Sequence, residues 1–332
     1  MENLTFKSLI INENSEGNFS HNYASKTLYD LPAGEVVIQV KYSALNYKDA
    51  LVFRGHKGIS GNYPQTPGID AAGIVYHSDS PDFKVGDSVI VTGYDLGMNT
   101  SGGFQEFIRV PSNWVVPLPE KMTLKEAMVL GTAGFTAALA IHRLQTVGIF
   151  PDSGPILVTG ATGAVGVCAI SILNKIGYKV SASSGKPELY EFLNQIGADE
   201  IFSREEILDD SPRPLLRRRW KGVIENVGGK TLESVVKATD KEGAITVIGI
   251  LSGDNFSSTL YPFILRGIAL LGIESAETEY PLRKELWSKL SNEWRIVDFN
   301  LICREISFDQ IPDELAKMLQ GKQSKKIVVR IS

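Results

Sequence analysis

Cysteine is nearly absent from this chain. Only Cys168 and Cys303 occur among 332 residues, too few for a disulfide framework or a thiolate zinc site. Cys168 falls in an apolar run, where a small buried thiol is the ordinary reading. Histidine is scarce as well, with four copies, and none stands in a pattern that singles out an acid–base catalyst. A positive surplus is missing: 34 Lys and Arg face 38 Asp and Glu, a net charge of −4, which argues against a general nucleic-acid binder. The one dense basic run, Arg213, Arg217, Arg218, Arg219 and Lys221, is interrupted by Pro212 and Pro214 and contains Trp220. It reads as a solvated face before a strand. Long hydrophobic runs are lacking too. Residues 1–11 carry Glu2 and Lys7 beside a brief apolar run, so they do not read as a signal peptide, and no stretch is expected to approach the length of a membrane span. Repeats and low-complexity segments are missing. These absences predict a cytoplasmic protein with no nucleic-acid or membrane partner.

What remains is an ordinary globular composition, 43% hydrophobic and 22% charged, long enough for about two domains with sizeable cores. The first third is β-rich. Strands are expected at 36–40, 69–76 and 87–92, with turn signals at Pro32-Ala33-Gly34 and Lys84-Val85-Gly86-Asp87. A further extended run follows Gly102-Gly103-Phe104 as far as Arg109, and another occupies 115–118. Many short strands with glycine-rich corners predict a small, partly open β-barrel.

The pattern changes near Lys121. Thr123 with Glu126 three positions on reads as a capping box, opening a helix through Leu130; Gly131 to Thr136 leads into a second, at 137–144. From Pro155 onward strands and helices alternate. The strands are expected at 156–159, 178–183, 200–202, 222–227, 244–250 and 268–273, with helices at 167–176, 188–196 and 231–238. Six such strands predict an α/β, doubly wound parallel Rossmann sheet. The tail loses this rhythm, with helices at 282–290 and 312–319 and strands at 304–308 and 326–330, and most simply rejoins the first domain. The expected division is therefore 1–125 for the first part of a catalytic domain, 126–274 for a dinucleotide domain, and 275–332 for the return.

The stretch Ile156-Leu157-Val158-Thr159-Gly160-Ala161-Thr162-Gly163-Ala164-Val165-Gly166 carries the chemistry of the second domain. A strand ends in glycines and passes into an apolar helix. Gly163 permits close approach of a pyrophosphate, Gly166 permits tight helix–strand packing, and the helix N-terminus favours phosphate. Ala161 stands where the first glycine of G-x-G-x-x-G usually sits, so a plain packed strand–turn–helix is the alternative. An NAD enzyme would place an acidic residue about 20 positions past the loop. Here Ser183, Ser184, Gly185 and Lys186 stand there, and the first carboxylate is Glu188. Hydroxyls, a free amide and a cation suit a 2′-phosphate, with Arg204 as a second cation; a polar surface turn is the alternative.

Asn46-Tyr47-Lys48-Asp49-Ala50, Pro67-Gly68-Ile69-Asp70, Gly131-Thr132-Ala133-Gly134-Phe135-Thr136-Ala137 and Pro262-Phe263-Ile264-Leu265-Arg266 occur in this order. On these motifs the chain resembles the medium-chain dehydrogenase/reductase superfamily, and within it the zinc-free quinone oxidoreductase branch. Zinc alcohol dehydrogenases carry a cysteine and a Gly-His-Glu motif where this chain has Asn46 and Gly68-Ile69-Asp70, and the four-cysteine zinc lobe is missing. Ser184-Gly185-Lys186 is similar to the Ser-Gly-Arg clamp of the acryloyl-coenzyme A reductase subgroup. The resemblance implies a GroES-like barrel beside the Rossmann domain, a cleft between them, NADPH as cofactor and no metal.

It further implies Tyr47 against the nicotinamide, Thr162, Gly163, Ala164 and Val165 at the pyrophosphate, and Ser184, Gly185, Lys186 and Arg204 at the 2′-phosphate. Ile250, Ile264 and Ser275 would lie at the nicotinamide end. Ala164 and Ser324 replace glycines of the subgroup, and neither removes a charged contact. Tyr47 and Asn46 are the candidates for substrate donor and nicotinamide positioning, with Tyr47 as mere barrel core the alternative. The expected reaction is reduction of an enoyl thioester, acryloyl-coenzyme A to propionyl-coenzyme A; a quinone reductase and a non-catalytic NADPH-binding protein are the rivals. The apolar edge strand at 268–273 predicts a homodimer.

Overall fold

In the computed structural model, which describes residues 4–321 and 325–332, the chain forms two compact units. The first comprises Met1–Thr132, Ala276–Ser291 and Cys303–Ser332; the second comprises Ala133–Ser275 and Asn292–Ile302. Ser324 lies outside the described residues.

The first unit is built on a seven-stranded sheet. Its order is Cys303–Ser307, Lys326–Arg330, Val36–Ala44, Asp70–Ser78, Ser88–Thr92 and Val115–Pro117, with Phe107–Val110 also paired to Val36–Ala44. Apolar alternation buries one face of these strands around Ile38, Val40, Val89, Ile108 and Val329. The Val36–Ala44 and Asp70–Ser78 pair shifts register between Val37 and Ile38 and again between Val40 and Tyr42, irregularities of the kind that bend a sheet toward closure. A hairpin of Thr5–Glu13 and Phe19–Thr27 was not expected from the sequence. Phe6, Leu9 and Ile11 of its first strand are buried. Its second strand, FSHNYASKT, has no residue buried and carries no apolar alternation to read.

The second unit holds six parallel strands. In chain order these are Ile156–Val158, Val180–Ser183, Glu200–Phe202, Trp220–Glu225, Thr239–Val247 and Ala269–Gly272, arranged third–second–first–fourth–fifth–sixth. This is the doubly wound order, reversing between the first and fourth strands. Leu157, Val223, Val235 and Ile245 sit in its core.

Three expectations need correction. The first unit extends to Thr132 rather than 125, because the polypeptide bends at Gly131 (φ 50°, ψ −151°), inside the otherwise continuous run Leu124–Thr146. Residues Asn292–Ile302 belong to the second unit, not to the return; Trp294, Ile296, Phe299 and Ile302 are buried, and that apolar cluster requires cover. Finally, Leu124–Thr146 is long and apolar enough by composition to cross a membrane. Its break at Gly131 and its predominantly buried surface are those of a core helix.

Candidate functional site

In the second unit, the buried strand Ile156–Val158 gives way to a turn shaped by glycine. Gly160 has φ +57° and Gly163 caps the helix Ala164–Lys175. A Cβ on Gly166 would lie 2.6 Å from the Gly160 carbonyl and 2.8 Å from Ala161, so the helix can approach only without a side chain there. Ala161, in the place of the usual glycine, is buried and donates its N–H to Ser183 O at 3.0 Å. The first N–H groups of the helix, at Ala164 and Val165, have no intrahelical acceptor. Such a terminus accommodates a pyrophosphate.

The second strand ends in buried Ser183 and Ser184. Ser184 Oγ accepts the Lys186 N–H at 3.1 Å and lies 3.4 Å from Thr162 Oγ1, while Tyr190 donates its hydroxyl to Ser184 O at 3.2 Å. Arg204 lies across the turn: a Cβ on Gly185 would meet its guanidinium at 3.0 Å. Gly185 thus leaves room for the cation. The structure brings Thr162, Ser184, Gly185, Lys186 and Arg204 into one neighbourhood, and a turn without a carboxylate but with two cations is suited to an anionic group on a ribose. Ser275 Oγ accepts from Thr136 Oγ1 at 2.8 Å. Ile250 and Ile264 are 68% and 72% exposed, so neither is core.

Sequence reasoning missed a brace at the point where strand order reverses. Buried Glu225 accepts from Thr159 Oγ1 (2.9 Å), Val227 N (3.0 Å) and Gly228 N (2.8 Å), and burial pushes its carboxyl pKa up. Asn226 donates its side-chain amide to Thr159 O at 2.8 Å. Together they tie the ends of the first and fourth strands beside the glycine loop.

In the first unit, Asn46 caps a short helix, Tyr47–Phe53. Tyr47 is 49% exposed, so it is not barrel core. Asp49 reaches back to accept the Asn46 backbone N–H at 2.8 Å and also accepts Gly68 N (3.1 Å) and Ile69 N (2.9 Å). Asn46 is itself held: its Nδ2 donates to Asp70 Oδ2 at 2.8 Å, and its Oδ1 accepts from Lys326 Nζ at 2.8 Å. Asp70 in turn accepts Thr132 N (2.9 Å) and Thr132 Oγ1 (2.6 Å) and faces Lys326 Nζ at 3.6 Å. A Cβ on Gly131 would fall 2.3 Å from Asp70 Oδ2, which explains glycine at that bend. Burial, reinforced by the charge of Asp70, pushes the Asp49 carboxyl up to about 7. Asp49 and Asp70 were visible in the motifs; their meeting with Thr132 and Lys326 was not.

Two family models match the chain, the alcohol dehydrogenase GroES-like domain over residues 32–120 and the zinc-binding dehydrogenase model over 164–291. Acrylyl-CoA reductase AcuI of Ruegeria pomeroyi is 37% identical over 328 residues, covering 98% of this chain and 99% of its own. YhfP of Bacillus subtilis, whose name proposes a quinone oxidoreductase, is 44% identical over 91% of this chain and 92% of its own. The chain belongs to the zinc-free quinone oxidoreductase branch of the medium-chain dehydrogenase/reductases. Solved members of this branch superpose over nearly the whole chain. The YhdH oxidoreductase of Salmonella enterica in complex with NADP gives a TM-score of 0.95 at 36% identity, covering 98% of this chain and all of that one. YhfP with NAD bound gives 0.97 at 42% identity, covering 99% and 100%. Like the branch it belongs to, the chain lacks the zinc ligand set: Asn46 and Ile69 stand where zinc enzymes have cysteine and histidine. Among the described residues no group of three or more His, Cys, Asp or Glu could hold a metal.

Proposed function

We propose that this protein is a cytoplasmic, NADPH-dependent reductase of an activated carbon–carbon double bond, acting on acryloyl-coenzyme A to form propionyl-coenzyme A. Its place in the branch makes it an oxidoreductase that uses a nicotinamide cofactor and a small-molecule substrate. The choice of NADPH is carried by Arg204 lying across Gly185, with Ser184 and Lys186 in the same turn. The choice of thioester is supported by likeness to AcuI along almost the full length of both chains.

In this reading Thr162, Gly163, Ala164 and Val165 receive the pyrophosphate. Ser184, Gly185, Lys186 and Arg204 receive the 2′-phosphate, and Ile250, Ile264, Ser275 and Tyr47 attend the nicotinamide end. The bound cofactor supplies a hydride for the β-carbon of the enoyl thioester. Tyr47 offers its hydroxyl where negative charge develops on the thioester oxygen, the contribution that positioned donors make to such reactions. Both polar atoms of the Asn46 side chain are already engaged by Asp70 and Lys326, so Asn46 acts by holding the turn that carries Tyr47. A proton from solvent completes the reaction at the α-carbon.

A second reading, quinone reduction, is favoured by the 44% identity to YhfP. Steady-state NADPH oxidation with acryloyl-coenzyme A and with a simple quinone, side by side, separates the two. The expected result is thioester turnover unaffected by chelators. Quinone turnover with an inert thioester would reverse the assignment, and NADPH binding with neither substrate turned over would leave a non-catalytic protein. We also assign a homodimer joined at Ala269–Gly272, one of the two edges of the parallel sheet, where Leu260, Tyr261, Leu265 and Leu270 are exposed. An unpaired edge beside apolar surface favours pairing. Light scattering at micromolar concentration is expected to give twice the chain mass; a monomer would refute the assignment.

A further inference from the structure

The helix that begins with Tyr47 carries a second feature. Residues spaced i, i+4, i+7 share one face of a helix, and here those residues are Tyr47, Leu51 and Arg54. Tyr47 and Arg54 are exposed and Leu51 is half-buried, while Asp49, Ala50 and Val52 point into the unit. Arg54 is still helical in its bonding, its N–H donating to Ala50 O at 3.2 Å. A rise of 1.5 Å per residue places it about 10 Å along the axis from Tyr47. The outward face thus has a hydroxyl at one end, an apolar step in the middle and a guanidinium at the other end.

This face is rigidly mounted. Asp49 holds the helix start, Tyr63 donates its hydroxyl to Val52 O at 3.0 Å, and the helix packs on Ile311–Leu319. Gly55 (φ +81°) closes the turn over Phe19, where a Cβ would fall 2.1 Å from the ring.

Its charge is of one sign. Between Asn46 and Asn62 the exposed ionisable side chains are Lys48, Arg54, His56 and Lys57, and the only acid, Asp49, is buried. Lys57 is committed, paired with Glu13 and set over Tyr63. Lys48 and Arg54 make no side-chain hydrogen bond or ion pair among the described residues. Arg54 is thus an uncommitted cation at the end of the outward face remote from Tyr47.

Resting on the thioester reading of Tyr47, we infer that Arg54 binds the phosphates of the coenzyme A carrier. A thioester held at Tyr47 sends its pantetheine arm away from the reacting carbons. That arm is largely uncharged and suits the Leu51 step, and the phosphates follow at its far end. A guanidinium pairs with phosphate oxygens bidentately. Arg54 is therefore a specificity-determining residue: it favours acyl groups on a phosphorylated carrier over neutral acceptors, and acryloyl, too small to be gripped itself, is oriented through its remote handle.

The test compares wild type, Arg54→Ala and Arg54→Lys with acryloyl-coenzyme A and with acryloyl-pantetheine, which lacks the phosphates. Loss of a charged hydrogen-bonding partner is expected to raise KM for the coenzyme A thioester about tenfold or more. NADPH affinity should be unchanged, and Arg54→Lys should recover part of the loss. KM for acryloyl-pantetheine should be the same in all three proteins. Equal KM for the coenzyme A thioester in wild type and Arg54→Ala, or an equal rise with both substrates, overturns the inference. If the wild type turns over no thioester, the proposed function fails separately, and binding of coenzyme A itself by calorimetry decides: affinity lost in Arg54→Ala upholds the phosphate site, and no difference from wild type rejects it.

Discussion

In the dinucleotide unit, the groups assigned to phosphate come from two short turns and one following residue: Thr162 to Val165, Ser184 to Lys186, and Arg204. In the barrel unit, the groups that hold the first turn of Tyr47–Phe53 come from Asn46, Asp49, Asp70, Thr132 and Lys326. The first site is made by backbone amides and local turns, so neighbouring residues define it. The second is made by side chains from opposite ends of the chain: Lys326 and Asp70 begin the two strands that flank Val36–Ala44, and Asn46, Asp49 and Thr132 come from helix starts and bends beside them. A local site tolerates a change in one contact and loses affinity in steps. A buried network of charges does not, because removing one partner leaves another uncompensated.

The sharpest way to break this comparison is Asp70→Ala. Lys326 would be left buried without its carboxylate, a loss of about 3–5 kcal/mol for a broken buried pair. Urea denaturation should show the drop while the preference for NADPH over NADH, assigned to the turn of Ser184 to Lys186 and to Arg204, stays within about twofold. A loss below about 1 kcal/mol would mean the network is not the brace described here. Lys186→Ala probes the local site. Removing one charged hydrogen bond, worth about 1.5–3 kcal/mol, should weaken NADPH about tenfold or more while leaving NADH nearly unchanged. Equal loss for both cofactors would contradict the 2′-phosphate assignment.

A pH series sharpens the contrast further. The buried Asp49 carboxyl is raised from 3.8 to about 7, so the folded state holds its proton more tightly than the unfolded chain. Its contribution to stability is full below about pH 3.8 and declines as pH rises toward 7. Denaturation midpoints of wild type and Asp49→Asn should therefore converge or cross across that window and run parallel above it; parallel curves throughout would show that Asp49 titrates normally. The smallest effect is expected for Tyr47→Phe. One hydrogen bond of about 1 kcal/mol corresponds to roughly fivefold in turnover, with NADPH affinity and stability unchanged because the hydroxyl belongs to an exposed side chain. Unaltered turnover would remove Tyr47 from the chemistry.

How much could be read in advance follows the same division. The glycine loop, the serines and Lys186 of the next strand end, and the strand–helix alternation were legible because each depends on a few consecutive residues and on apolar periodicity. The Thr5–Glu13 and Phe19–Thr27 hairpin was not, since its outer strand has no residue buried and its apolar residues do not alternate. The helix at Tyr47 escaped notice because its cap signal, Asn46 with Asp49 three positions on, has aspartate in the place usually held by glutamate or glutamine.

By itself the sequence determined the two architectures, a β-rich barrel unit and an alternating parallel α/β unit, and the glycine turn between the first strand and helix of the second, because backbone conformation and burial periodicity are local properties. Only the tertiary structure decided where the first unit ends, that Asn292–Ile302 joins the second, and that Asp70 binds Asn46, Thr132 and Lys326 at once. A buried carboxylate has several possible donors along any chain. Which of them it meets depends on strand register and on the sharp bend at Gly131, and these exist only once the sheet has closed around them.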